Sequence, residues 1–326
     1  LSHPLKTPLR LEELTRTLKS LVLELPDIFT LLTPYLGSDL GEVRTKPSLK
    51  ELFPELKTLK LGSLYESGVS DLTRLRKCWP PSLTCLHFQA EGICPAIIRE
   101  LPRLRELVCH TDNRERDWAD FEIPAGLTHL HFEPGPPTLN LSRIGLPSAH
   151  SLTSLGLVIY MDDEHGDVDA NRKRKLTLPT SLISLHLDLR IPIAGIETPL
   201  PASITNLLFV ISEYYSLEDL MKAGLPPKLL TLHVVTGSAQ RKVTWTSQTQ
   251  TAFLKALPRT LRSFQYDTSL DFQPYTTEDL KVLPPDLESI HHTLHPDADL
   301  QYLPRKLRTL RMYRASPLQE FLITEQ

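Results

Sequence analysis

Histidines are the residues whose type and spacing could do chemistry in this chain. Five of the twelve histidines share one short context, in which the imidazole directly follows Leu-x-x-Leu or Leu-x-x-Ile: His87, His131, His186, His233 and His291. Near neutral pH an imidazole can ligate a metal ion, transfer a proton or hydrogen-bond to a partner. Which of these it does depends on the elements that position the five side chains.

Each of these histidines lies inside a phrase that recurs along almost the whole chain. The phrase is an apolar residue, Pro, two variable residues and then Leu-x-x-Leu-x-apolar, as in Trp79 to Phe88 (WPPSLTCLHF) and Leu178 to Leu187 (LPTSLISLHL). Twelve versions occur at intervals of 20 to 38 residues, and their first Leu or Ile falls at Leu18, Leu56, Leu83, Leu104, Leu127, Leu152, Leu182, Ile204, Leu229, Leu261, Leu287 and Leu307. This spacing lies in the range of leucine-rich repeats.

The phrase predicts a short strand followed by a return to the next strand. Leu-x-Leu alternation places two apolar side chains on one face of a strand and the residue between them on the other face. One such strand cannot bury its apolar face, whereas twelve stacked in parallel can. The Pro ends the returning segment and starts the strand. Four returns are expected to be short helices, at residues 95–101, 216–223, 247–257 and 277–283.

The phrase resembles the leucine-rich repeats of bacterial secreted effectors and the related Pro-containing repeats of protists and fungi. The resemblance covers about residues 14–312. It implies an α/β fold: a curved leucine-rich-repeat solenoid of about twelve repeats, with a parallel sheet on the concave face and short helices or coil on the convex face. The Asn or Cys that such repeats usually carry five residues after the second Leu is replaced, for example by Arg190 and Gly237. The turns must therefore be satisfied in another way.

The expected organisation is a single leucine-rich-repeat domain over residues 1–326. Residues 1–13 are expected to form an N-terminal cap, 14–312 the repeats and 313–326 a C-terminal cap. Residues 158–177 include an acidic and then basic run with almost nothing apolar, which predicts an exposed insertion.

The residue between the two apolar strand residues, and the residue two positions earlier, should both face the concave surface. These positions give the predicted partner-binding set: His87, His129, His131, His186, His233, His291 and Arg311. The alternating histidines have two possible explanations. They form a stripe that binds a partner, or the alternation was left by an ancestral duplication of the repeats in pairs. A metal site is disfavoured because histidines on alternate strands would stand about 9.6 Å apart. No catalytic residue, metal or cofactor is predicted.

A second group, from His291 to His295 with Asp297 and Asp299, has metal-ligand residue types, but it spans a strand end and a turn. The basic run from Arg172 to Lys175 could be a nuclear localisation signal or a contact for an acidic partner, against the simpler interpretation of a solvated loop.

Composition narrows the function. The net charge of −3 supplies no positive field for nucleic acid, and no apolar run is long enough to span a bilayer. The four cysteines lie within one interior stretch of the sequence rather than near its ends. This placement indicates reduced thiols in an intracellular protein of the cytoplasm or nucleus. Secretion stays open as an alternative, because the first residue is Leu rather than Met. The chain has no Gly-rich phosphate loop, His-Glu-x-x-His, Cys-x-x-Cys or Gly-x-Ser-x-Gly motif, so an enzyme is not expected.

The sequence therefore predicts a protein–protein interaction module that binds a protein partner through its concave face, as an effector or an adaptor. The alternatives are a receptor for a small ligand or glycan and a non-catalytic recognition domain of a larger enzyme. Membrane and nucleic-acid partners are not expected.

Overall fold

The computed structural model describes residues 14, 16–23, 47–63, 79–89, 98, 101–110, 122–135, 146–160, 175–190, 195–196, 199–212, 217–236, 246–267, 273–292, 294–312 and 319–322. The chain divides into two compact units, Leu1–Leu152 and Thr153–Gln326. The predicted caps lie largely outside the described residues.

The described residues of the first unit form five strands, and each pairs in parallel with the next one along the chain. A short helix, α1 (Leu49–Leu52), precedes the second strand, and a 3-10 turn (Leu146–Ser148) follows the fifth. The strands are β1 (Ser20–Leu23), β2 (Thr58–Ser63), β3 (Cys85–Gln89), β4 (Glu106–His110) and β5 (His129–Gly135).

The second unit repeats this arrangement. Its strands are β6 (Ser154–Tyr160), β7 (Lys175–Leu176), β8 (Ser184–Arg190), β9 (Gly195–Ile196), β10 (Asn206–Ile211), β11 (Thr231–Thr236), β12 (Ser263–Asp267), β13 (Ser289–His291), β14 (Thr309–Met312) and β15 (Gln319–Leu322). The main sheet is parallel and has the order β6, β8, β10, β11, β12, β13, β14, and β15 pairs with β14 in the antiparallel direction. The two short strands β7 and β9 form a separate parallel pair.

The twelve predicted strands are therefore confirmed, and so is the inward direction of their leucines. Leu59, Leu86 and Leu107 lie side by side in the first unit, and each is 0% exposed. Leu185, Leu207 and Leu232 occupy the same place in the second unit and are 0 to 2% exposed. Each repeat thus adds one apolar layer to a core that no single repeat could bury.

Where the phrase is complete, its Pro-x-x-Leu part forms a tight turn before the strand. In the turn from Pro80 to Leu83 the backbone N–H of Leu83 donates to the carbonyl of Pro80 over 3.1 Å, and the turns from Pro124 and Pro226 repeat this bond. The two N–H groups that follow the Leu then donate to one carbonyl of the preceding repeat, as Thr84 and Cys85 do to Lys57. Successive repeats are in this way locked in register.

Hydroxyl side chains also link the turns of successive repeats. Ser82 donates to the carbonyls of Pro54 and Leu56 in the preceding turn, both at 2.8 Å. Thr260 makes the equivalent pair of bonds, to Pro227 and Leu229. A hydroxyl in one turn therefore satisfies the carbonyls of the turn before it, at the start of the strand rather than at the end where such repeats usually carry Asn.

Three predicted return helices are present in the second unit: α2 (Leu217–Ala223), α3 (Ser247–Ala256) and α4 (Thr277–Lys281). Thr246 and Thr276 cap α3 and α4 through their side-chain oxygens. The return predicted at 95–101 lies mostly outside the described residues, as does the central part of the charged insertion, 161–174. Leu176, near the end of that insertion, is fully buried in β7.

Candidate functional site

Strand register arranges the outward-facing side chains of each unit in two rows. The first row contains Ser20, Thr58, Cys85, Glu106 and His129 in the first unit, and Ser154, Ser184, Asn206, Thr231, Ser263, Ser289 and Thr309 in the second. The second row contains Val22, Lys60, His87, Val108 and His131 in the first unit, and Gly156, His186, Leu208, His233, Gln265, His291 and Arg311 in the second. With the exception of Gly156, these residues are half-buried or exposed.

The predicted partner-binding residues all lie in these two rows. Val108 separates His87 from His131. In the second unit Leu208 separates His186 from His233, and Gln265 separates His233 from His291. The alternating spacing is as predicted, so histidines of one row do not converge on a common point. Arg311 stands next to His291, and His129 adjoins Glu106 in the first row.

Convergence occurs instead between the two rows of the first unit, at Cys85, His87 and Glu106. Cys85 and His87 are two residues apart on β3, and Glu106 is the register partner of Cys85 on β4. His87 Nε2 lies 2.7 Å from Glu106 Oε1. The thiol of Cys85 also hydrogen-bonds to Glu106. The Sγ, imidazole N and carboxylate O atoms all lie within 4.8 Å of one another, and no other group of metal-ligating residue types converges in this way in the described part of the chain.

Burial and hydrogen bonding shift the two acids of this cluster in opposite directions. Burial by itself raises the pKa of Glu106, but hydrogen bonds from His87 and Cys85 and the nearby imidazoles of His87 and His129 outweigh it and hold the pKa below its usual value. Burial and the Glu106 carboxylate raise the pKa of Cys85 to about 11, although Lys60 and Thr58 oppose that shift. The Cys85 side chain is therefore a protonated thiol at neutral pH, which is unlike the activated thiolate of a cysteine nucleophile.

A second histidine–carboxylate pair lies in the second unit. His233 Nε2 is 2.7 Å from Asp267 Oδ2. The amide of Gln265 donates to both oxygens of the same carboxylate, at 3.1 and 3.0 Å. An amide N–H is a donor and cannot ligate a metal, so this arrangement is a hydrogen-bonded pair with no third ligand.

The group from His291 to His295 does not come together. His291 faces outward in the second row, whereas His292 points into the core and is 2% exposed. Burial lowers the pKa of His292 to about 3, and the Tyr275 ring packs against it edge-on with centroids 4.0 Å apart. His295 lies in a turn with Nδ1 3.8 Å from Asp297.

Two side chains that the sequence did not single out, Cys85 and Glu106, complete the cluster around His87. Cys85 and Glu106 lie in the first row, and His87 lies in the second. The spacing of histidines along one row therefore gives no indication of the diagonal contact between rows. The signal that does indicate it is the residue type at both row positions on two neighbouring strands.

Repeat phrase, parallel register and buried leucine layers together define a leucine-rich-repeat fold. Solenoid folds of this kind present extended surfaces that are used for binding.

No family model and no curated protein matches the chain. Solved structures that it resembles include CroV588, described as a novel circular LRR protein, at 18% identity and a TM-score of 0.43 over 80% of this chain. The chain spans 37% of the length of CroV588. Internalin inlF from Listeria monocytogenes is 16% identical, with a TM-score of 0.43, over 85% of this chain and 86% of its own. LegL7 from Legionella pneumophila is 13% identical, with a TM-score of 0.40, over 77% and 81%.

Two further observations concern membrane-spanning helices and the cysteines. Within the described residues, no helix has the length and apolar character needed to cross a membrane. Cys85 and Cys109 are free thiols, while Cys78 and Cys94 lie outside the described residues.

Proposed function

We propose that this protein is a protein-binding module and that the outward sheet face of the second unit, formed by its two rows, holds the partner. The observation that supports this proposal is the continuous register of His186, Leu208, His233, Gln265, His291 and Arg311 across six neighbouring strands. All six are partly exposed above a fully buried core.

The chemistry of these side chains suits a polar protein surface. Imidazole, amide and guanidinium groups offer hydrogen-bond donors, and Leu208 supplies an apolar contact between two of them. Because the backbone ladder fixes their positions before the partner arrives, little conformational entropy is lost on binding. A partner that presents carboxylates and carbonyl groups along an extended surface fits this stripe, whether the protein acts as an effector or an adaptor.

A glycan or small-ligand receptor fits less well. Such sites are lined mainly by hydrophobic and aromatic side chains in a concave pocket. Neither row contains a Phe, Tyr or Trp at any of its positions.

The experiment compares two sets of histidine substitutions. Partners are captured from native extract with the full chain, identified and purified, and their dissociation constants are measured by calorimetry. The face variant carries His186→Ala, His233→Ala and His291→Ala. The control variant carries His150→Ala and His295→Ala, which are exposed residues outside both rows.

We expect the face variant to bind the purified partner about tenfold or more weakly, because interface anchors typically contribute more than about 1 kcal/mol each. The control variant should bind as the unmodified chain does. Equal affinity of all three proteins would show that the partner binds elsewhere.

A further inference from the structure

The structure contains one group of side chains whose chemistry the protein-binding proposal does not use. It is the cluster of Cys85, His87 and Glu106 on β3 and β4 of the first unit. We propose that these three residues form a site for a single divalent ion of the zinc class, with a fourth coordination position open to solvent. The site is independent of the partner-binding proposal, since it lies in the other unit.

Ligand type is the first argument. Zinc is borderline soft and is bound in proteins by thiolate, imidazole and carboxylate, whereas calcium and magnesium take oxygen ligands. One thiolate and one carboxylate would balance the charge of a divalent ion, and the neutral imidazole would complete three protein ligands. Three protein ligands and one open position is an arrangement that zinc adopts when it keeps a water or accepts an incoming donor.

Distance is the second argument. Around a tetrahedral zinc ion, with bonds of about 2.0 to 2.3 Å, the ligand atoms stand about 3.3 to 3.6 Å from one another. Here the three donor atoms lie within 4.8 Å of one another, and His87 Nε2 is 2.7 Å from Glu106 Oε1. Small side-chain rotations bring this geometry to that of a bound ion, and the ion would replace the hydrogen bond between the imidazole and the carboxylate.

The surroundings of the cluster are the third argument. The parallel ladder pairs Cys85 with Glu106 directly, so the backbone that carries the ligands is fixed. On β2, Thr58 is the register partner of Cys85, so the thiol is flanked by side chains of both neighbouring strands. Neighbouring side chains of this kind orient the ligands of metal sites. The side chains of His87 and Glu106 are 23% and 41% exposed, which leaves a path for the ion and for a fourth ligand.

Zinc itself is the first probe, and cobalt is the second. The full chain, purified in chelator and freed of metal, is titrated with Zn²⁺ by calorimetry to obtain stoichiometry and affinity. Co²⁺ reports the ligands, because a cobalt–thiolate bond produces a charge-transfer band that cobalt bound only by nitrogen and oxygen lacks. Alkylation of Cys85, located by mass spectrometry with and without Zn²⁺, gives a third measurement at the residue itself.

Three variants remove one ligand each: Cys85→Ala, His87→Gln and Glu106→Gln. The matched control is His233→Gln, which removes the imidazole of the other histidine–carboxylate pair, where no thiol is present. All four substitutions are at partly exposed positions, and circular dichroism in chelator checks that each variant folds as the unmodified chain does.

We expect one equivalent of zinc, protection of Cys85 from alkylation and a cobalt–thiolate band. Each ligand variant should weaken zinc binding by about 100-fold or more, and Cys85→Ala should abolish the band, while His233→Gln should leave both unchanged. The proposal is overturned if zinc does not bind, if the band persists in Cys85→Ala, or if the ligand variants bind zinc as tightly as the control.

Discussion

Two histidine–carboxylate pairs, one in each unit, have the same contact distance and different surroundings. His87 meets Glu106 at 2.7 Å in the first unit, and His233 meets Asp267 at 2.7 Å in the second. The exposed fractions of the two histidine side chains, 23% and 26%, are also similar. The nitrogen–oxygen distance and the exposure of the histidine therefore do not distinguish the two pairs.

The third residue distinguishes them. Beside Glu106 stands Cys85, whose sulfur becomes a metal ligand once its proton leaves. Beside Asp267 stands Gln265, whose amide donates to both carboxylate oxygens and occupies them. A histidine next to a carboxylate is thus not enough to indicate a metal site, and the chemistry of the third side chain determines what the pair can do.

The largest expected effect is a fall in the free energy of unfolding of the second unit at acidic pH. The two pairs can be compared only at a pH at which both units are folded. Burial lowers the pKa of His292 from its ordinary 6.5 to about 3. Because the unfolded chain takes up this proton near pH 6.5 and the folded chain does not until about pH 3, the contribution to stability is fully present above pH 6.5 and is lost as the pH falls toward 3. At pH 4.5 the loss should be about 3 kcal/mol.

His292→Phe should remove that loss. Urea unfolding at pH 7 and at pH 4.5 gives the free energy of unfolding, and the variant should show a smaller fall between the two pH values than the unmodified chain. The control His233→Gln changes an outward histidine of the same unit and should keep the full fall. If the stability of His292→Phe fell with pH as much as that of the unmodified chain, the pKa of His292 would be the same in the folded and unfolded states, and the prediction would be wrong.

The next prediction exchanges the third residues of the two pairs. Gln265→Cys places a thiol beside His233 and Asp267, and we expect a second equivalent of zinc to bind. Cys85→Gln gives the first unit the amide of the second, and the first equivalent should be lost. At a free zinc concentration about 100 times the dissociation constant, each bound ion should raise the free energy of unfolding by about 2.7 kcal/mol.

Zinc stoichiometry by calorimetry checks both halves of the exchange. A protein with both substitutions should bind one equivalent, now in the second unit, with a cobalt–thiolate band that His233→Gln weakens. If Gln265→Cys still bound only one equivalent, the third residue would not be the deciding difference between the pairs.

Much of the fold could be predicted because the repeat phrase specifies it locally. Leu-x-Leu fixes which side chains of a strand point inward, and the Pro-x-x-Leu turn fixes where the strand begins, so the two rows were predicted residue by residue. The three return helices of the second unit were predicted from Ser or Thr near their first residues and from Glu218 and Glu278 in the first turn. By contrast, the bonds that Ser82 and Thr260 make to the preceding turn depend on how repeats stack, which one phrase does not encode.

Less of the candidate metal site could be predicted. Spacing along one row relates histidines only to one another, and histidines on alternate strands are too far apart to share a metal ion. Glu106 and Cys85 belong to no recognisable sequence motif, and only the diagonal between two rows brings them to His87. His292 is a different case, because it occupies the inward position that follows His291 in the phrase, so strand alternation alone turns its imidazole into the core while His291 stays outside.

The smallest expected effect is the contribution of the His87–Glu106 pair to the free energy of unfolding in the absence of metal. Since the pKa of Glu106 lies below its ordinary value of 4.5, the pair stabilises the fold above that pH, and the contribution is lost as the pH falls through the lower pKa of the folded state. Partly exposed ion pairs contribute less than about 1 kcal/mol. In chelator, Glu106→Gln should therefore lower the free energy of unfolding by less than about 1 kcal/mol at pH 7 and by a smaller amount at pH 3, as measured by urea unfolding. Glu55→Gln, at an exposed position of the same unit, serves as the control and should change stability little at either pH. A loss of several kcal/mol in the free energy of unfolding for Glu106→Gln without metal would indicate that Glu106 is a structural residue of the first unit. The two pairs would then be alike only in their contact distance and exposure.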